Sequence, residues 1–115
     1  MTKLESLRLR YVRDPVPVRL GGLAANLARI ASFSKNAAHR DAVLRIFLES
    51  KWFIEWTAAE LEIEKSTELV RLQIQLALWD LQSHKEWQDE NWRQNLANES
   101  SQWSESILKI SGLLA

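Results

Sequence analysis

Between Gly22 and Gly112 the chain contains neither glycine nor proline. The whole protein of 115 residues carries three glycines and two prolines, so the punctuation available for tight turns is sparse. Long uninterrupted stretches must then satisfy their own backbone amides and carbonyls, which favours helices. The apolar side chains repeat near a period of 3.6 rather than 2 in these stretches, and this divides the chain into four helical segments behind a short arm.

Residues 1–14 form the arm. Leu7, Leu9 and Tyr11 alternate with Arg8, Arg10 and Val12, a weak period-two pattern that predicts an extended segment lying along the bundle or along another subunit. The remainder, 15–115, reads as one helical-bundle domain. Its first helix should begin near Pro17, whose preset φ and missing amide suit the first turn. On a wheel of about 100° per residue, Leu20, Leu23, Ala24, Leu27, Ile30 and Ala31 share a face and leave Arg19, Asn26 and Arg29 outside it. Gly21, Gly22 and Ala25 lie beside that face and cost helix propensity, which predicts close approach of another backbone.

Asn36 is the expected cap of a second helix over 37–56, because its side chain can accept an unpaired first-turn amide. That helix is apolar on two sides. Val43, Phe47 and Ile54, flanked by Ile46 and Phe53, define one stripe, while Leu44, Leu48 and Trp52 make a ladder continuing to Trp56. Thr57-Ala58-Ala59-Glu60 has capping-box spacing and predicts a turn or helix start. A third helix over 65–85 carries two seams, Leu69, Leu72, Leu76 and Trp79 on one side and Val70, Ile74, Ala77 and Leu81 on another. Gln73, Asp80 and His84 project between them. The last helix, 90–111, has Asp89 as cap, Gly112 as its left-handed terminator and a stripe of Trp92, Leu96, Trp103, Ile107 and Ile110. Four helices of this length with short links predict an all-α, four-helix up-and-down antiparallel bundle with an extended N-terminal arm.

Composition narrows the function. Hydrophobic residues are 46% and charged residues 26%, a globular balance. Apolar runs are too short to cross a bilayer and the first residues lack a signal peptide's apolar stretch, so a cytoplasmic protein without membrane partners is expected. There is no cysteine, which removes thiolate nucleophiles and cysteine-bound metals. The formal net charge is zero, against a nucleic-acid-binding surface. Charge is nevertheless uneven: residues 1–50 hold nine basic and four acidic side chains and residues 51–115 hold six and eleven, or +5 against −5. Either the halves pack against each other, or the basic arm of Lys3, Arg8, Arg10, Arg13 and Arg19 meets an acidic partner or a second copy of the chain.

No nucleophile with a partnering base is visible, no metal-ligand spacing occurs, and Gly21-Gly22 fall inside a helix rather than in a phosphate loop. No catalytic residue, metal or cofactor is therefore expected, and the chain reads as a non-enzyme. Asp80 and His84, one turn apart, form with Gln73 the one polar cluster on a mostly apolar helix. It is either a satisfied polar pair near the helix end or a small ligand site. Six tryptophans are present. Trp79, Trp92 and Trp103 sit on core stripes, whereas Trp52, Trp56 and Trp87 lie off them and serve either local packing or self-association.

The strings Gly21-Gly22-Leu23-Ala24-Ala25-Asn26-Leu27-Ala28-Arg29-Ile30 and Glu49-Ser50-Lys51-Trp52-Phe53-Ile54-Glu55-Trp56-Thr57-Ala58, with Gln102-Trp103-Ser104 and Ser111-Gly112-Leu113-Leu114, resemble a group of short, uncharacterised helical proteins of cyanobacteria, over most of the chain from Pro15. The resemblance implies a cytoplasmic helical protein and brings no activity, cofactor or site residue.

The leading expectation is thus a helical interaction module that forms a homodimer or docks on a protein through Leu44, Leu48, Trp52 and Trp56. The alternative is a bundle binding a small molecule in a tryptophan-lined pocket oriented by Gln73, Asp80 and His84.

Overall fold

The computed structural model describes residues 1–113 and is all-helical, with α1 (Lys3–Val12), α2 (Val16–Phe33), α3 (Arg40–Glu55), α4 (Ile63–Glu86) and α5 (Glu90–Ser111). Two single 3-10 turns, Ala37–His39 and Ala58–Glu60, sit in the links. Among the described residues there are five α-helices, because the segment expected to be extended is itself helical. Thr2 starts it, its Oγ1 accepting the Glu5 amide at 3.0 Å. In helical form Leu7 and Tyr11 fall on one side, where Tyr11 is buried and Leu7 half-buried, while Leu9 turns to solvent. A lone extended segment would leave its amides unpaired, whereas a helix satisfies them locally. The sequence held a sign of this in Thr2-Lys3-Leu4-Glu5, which has the spacing of a capping box.

The later boundaries follow the local chemistry. α2 begins one residue before Pro17. Asn36 accepts the Ala38 amide at 2.9 Å, but it opens the 3-10 turn, and α3 proper starts at Arg40. Thr57 precedes the second 3-10 turn without a side-chain capping bond. Asp89 accepts the amides of Asn91 at 2.9 Å and Trp92 at 3.4 Å, and Gly112 ends α5 at φ 81°, which a side chain would strain.

Helix α2 packs on α3 and α5, and α4 also meets α3 and α5. The α2–α5 seam is antiparallel and tight. Ser100 donates to the Leu27 carbonyl at 2.7 Å, and Ser104 donates to the Ala24 carbonyl at 2.8 Å. Side chains this small let α5 approach the α2 backbone. At Gly21 the close neighbour is a side chain rather than a backbone, since an added Cβ would lie 2.7 Å from Leu113 Cδ1. The core is filled by α2, α3, α4 and α5 together, with Leu23, Leu27, Ile30, Val43, Leu69 and Leu72 fully excluded from water. No helix among the described residues is long and apolar enough to cross a membrane.

Two residues expected outside the α2 core face are buried. Arg19 donates to the Asp14 carbonyl at 2.8 Å, the Val12 carbonyl at 3.1 Å and the Glu60 carboxylate at 2.5 Å, so it ties the α1–α2 corner to the α3–α4 link. Asn26 lies between α2 and α3 and donates to Ser50 Oγ at 3.2 Å and Glu49 Oε1 at 3.3 Å, while Arg29 donates to its Oδ1. A wheel ranks positions by polarity and cannot register that a buried polar group has partners.

Candidate protein-interaction face

The ladder Leu44, Leu48, Trp52 and Trp56 divides into three environments. Leu44 is half-buried against the core. Trp56 is claimed from the other side by α1, its ring 6.0 Å from Tyr11 and 6.4 Å from Phe53, and Trp52 stacks on Trp56 at 5.8 Å. Leu48 stays 56% exposed. The helical N-terminal segment therefore covers the Trp56 end of the second apolar side of α3, while Leu48 stays in water.

The larger unpartnered surface is on α4. Its seam of Leu69, Leu72, Leu76 and Trp79 is buried, but the other seam faces water, with Val70 45%, Ile74 58% and Leu81 69% exposed and Ala77 exposed between them. The position of this seam follows from its neighbours. The α2–α3 groove is lined by Ala42, Arg45, Ile46 and Glu49 of α3, and the α4–α5 groove by Gln75, Leu78 and Gln82 of α4. At about 100° per residue, Leu44 and Leu48 then lie on the α4-facing flank of α3, and Val70, Ile74, Ala77 and Leu81 lie on the flank of α4 beside α3. Exposed side chains of this size leave on the order of 400 Å² of apolar surface in water, within the range where such patches on monomers are often functional.

Gln73, Asp80 and His84 share one flank of α4. His84 is exposed and Asp80 half-buried, with no hydrogen bond between their side chains; Ser83 donates instead to the Asp80 carbonyl at 2.6 Å. Gln73 is half-buried on the same helix. The tryptophans serve packing. Trp79 donates to Glu99 at 3.2 Å. Trp87, expected off the core stripes, is buried; it donates to the Ala37 carbonyl at 2.8 Å and lies under the Arg93 guanidinium, 5.8 Å from its ring. Trp92 and Trp103 are half-buried at the edges of open grooves between α4 and α5. Among the described residues no group of histidine, aspartate and glutamate could hold a metal ion.

The buried Tyr11 phenol donates to the Arg19 carbonyl at 2.8 Å, and burial pushes its pKa up to about 12. That bond and the ring stack serve to seat α1.

Comparison with protein-family models, curated proteins and solved structures finds no match for the chain.

Proposed function

We propose that this protein is a non-enzymatic, cytoplasmic interaction module, in which α2–α5 act as an up-and-down bundle and the α3–α4 flank binds protein. The supporting observation is the α4 seam of Val70, Ile74, Ala77 and Leu81, apolar along its length and left in water. Apolar groups spaced along one face gain from burial against a matching surface, and a rigid helix presents them without an ordering cost. Leu44 and Leu48 border the same flank and extend it across α3.

A tryptophan-lined ligand pocket has weaker support, because the indole N–H groups of Trp79 and Trp87 are already used internally. The test is a photo-reactive phenylalanine derivative placed at position 74 and irradiated in living cells. A discrete protein adduct, suppressed by Leu81→Glu on the same face, is the expected result. Irradiation that yields no discrete adduct overturns the proposal.

A further inference from the structure

Along α4 the solvent-facing residues continue past the central four. Ile63, Thr67, Val70, Ile74, Ala77, Leu81 and His84 are all exposed, and their spacings alternate 4, 3, 4, 3, 4, 3. This is the 3.5-residue repeat of a coiled-coil seam, apolar at its centre and with polar Thr67 and His84 toward its two ends. The buried seam of the same helix supports the fold and the exposed one has no partner among the described residues, so α4 is equipped to pair with a second helix.

Resting on the proposed protein-binding face, we infer that the occupant is a second copy of this chain, its α4 laid antiparallel on the first about a two-fold axis near Ile74 and Ala77. Three observations select it. The first is charge. Glu64 flanks the seam in the first turn of α4 and Lys85 flanks the same side in the last. An antiparallel pair sets Glu64 against Lys85 of the partner subunit, and the symmetry repeats the contact at the other end. A parallel pair gathers both Glu64 carboxylates at one end and both Lys85 ammonium groups at the other. Glu86 lies on another side of α4 and does not disturb the match.

The second is side-chain size. The same register places Ile74 against Ala77 of the partner subunit and Val70 against Leu81 of the partner subunit, so a large residue meets a small or medium one in each layer. The third is area. α4 has 24 residues and is roughly 36 Å long. A contact along it with the α3 edge at Leu48 covers roughly 700 Å² per copy, close to the standard size for a stable complex and a tenth of the 7082 Å² surface of one chain.

Sedimentation equilibrium and directed cross-linking test this. The purified protein is expected to be a dimer at tens of micromolar, and Ile74→Glu is expected to be monomeric with unchanged helix content, since Ile74 is already exposed. Because the chain has no cysteine, Glu64→Cys and Lys85→Cys can be made as single-thiol variants. Oxidising a mixture of the two should give a cross-linked dimer far faster than oxidising either alone. A monomer at 100 μM, or like-with-like disulfides forming as fast as mixed ones, overturns the antiparallel dimer. If the wild type is monomeric and the cellular adduct at position 74 holds a different protein, the dimer falls and the docking face stands; if no adduct forms either, both fall.

Discussion

The ring of Tyr11 lies 3.8 Å from that of Phe53 and is inclined to it by 10°, so α1 is fastened to α3 by a stacked aromatic pair. The contact matters beyond its own area. It brings Tyr11 beside Trp56, on which Trp52 stacks, and so decides how much of the α3 aromatic ladder is left for another molecule.

Removing the ring should undock α1. Tyr11→Ala is expected to cost about 3 kcal/mol in urea unfolding, and to shift tryptophan emission to the red as Trp56 and Trp52 gain solvent. Tyr11→Phe keeps the stack and loses the bond to the Arg19 carbonyl, at a cost of about 1 kcal/mol. Equal losses in the two variants would show that the stack does not seat the helix.

Tyr11 is the one tyrosine in the chain, so its ionisation can be followed alone by ultraviolet difference absorbance. The folded phenol should titrate at about 12 rather than the ordinary 10.0, because burial penalises the phenolate. The folded state holds this proton more tightly than the unfolded chain does. Its contribution is therefore complete below pH 10 and is lost as the pH rises toward 12. A phenol titrating near 10 with the helices intact would contradict the burial.

Arg19 is held at three oxygens on different segments by the fork of its guanidinium. Lysine carries the charge but not the fork, and Arg19→Lys should destabilise by about 2 kcal/mol. Glu60→Gln removes only the carboxylate, which is half-exposed, and should cost less than about 1 kcal/mol. The comparison is made by denaturant unfolding at neutral pH; similar losses would show that the backbone contacts contribute little.

Ser100 reaches the α2 backbone through a hydroxyl that occupies almost no volume. Ser100→Ala should cost about 1 kcal/mol, whereas Ser100→Leu should force α2 and α5 apart and cost about 3 kcal/mol or more. Thermal unfolding distinguishes these outcomes, and a tolerated leucine would mean that the seam is looser than described.

Much of the fold was legible because it rests on local chemistry. The spacing of Leu20, Leu23, Leu27 and Ile30, and of Leu69, Leu72, Leu76 and Trp79, specified helices and buried faces. Asp89 and Gly112 specified the ends of α5, since a cap bond and a left-handed backbone each depend on a few neighbouring residues. Both α4 seams could also be read from the sequence. The N-terminal helix was not read, because six alternating residues fit two periods, and Tyr11 reveals which applies only when Phe53 is beside it.

By itself, then, the sequence determined that this chain is helical and which residues are greasy on each helix, because periodicity and capping act within a few turns. Tertiary structure decided which apolar side is covered. Arg19 and Asn26 became interior through partners 41 and 24 residues away, Trp87 through a carbonyl 50 residues distant, and the second α4 seam stayed in water because no other helix among the described residues packs there. Burial is a property of neighbours in space, and those are set by how the helices stack rather than by any one stretch of residues.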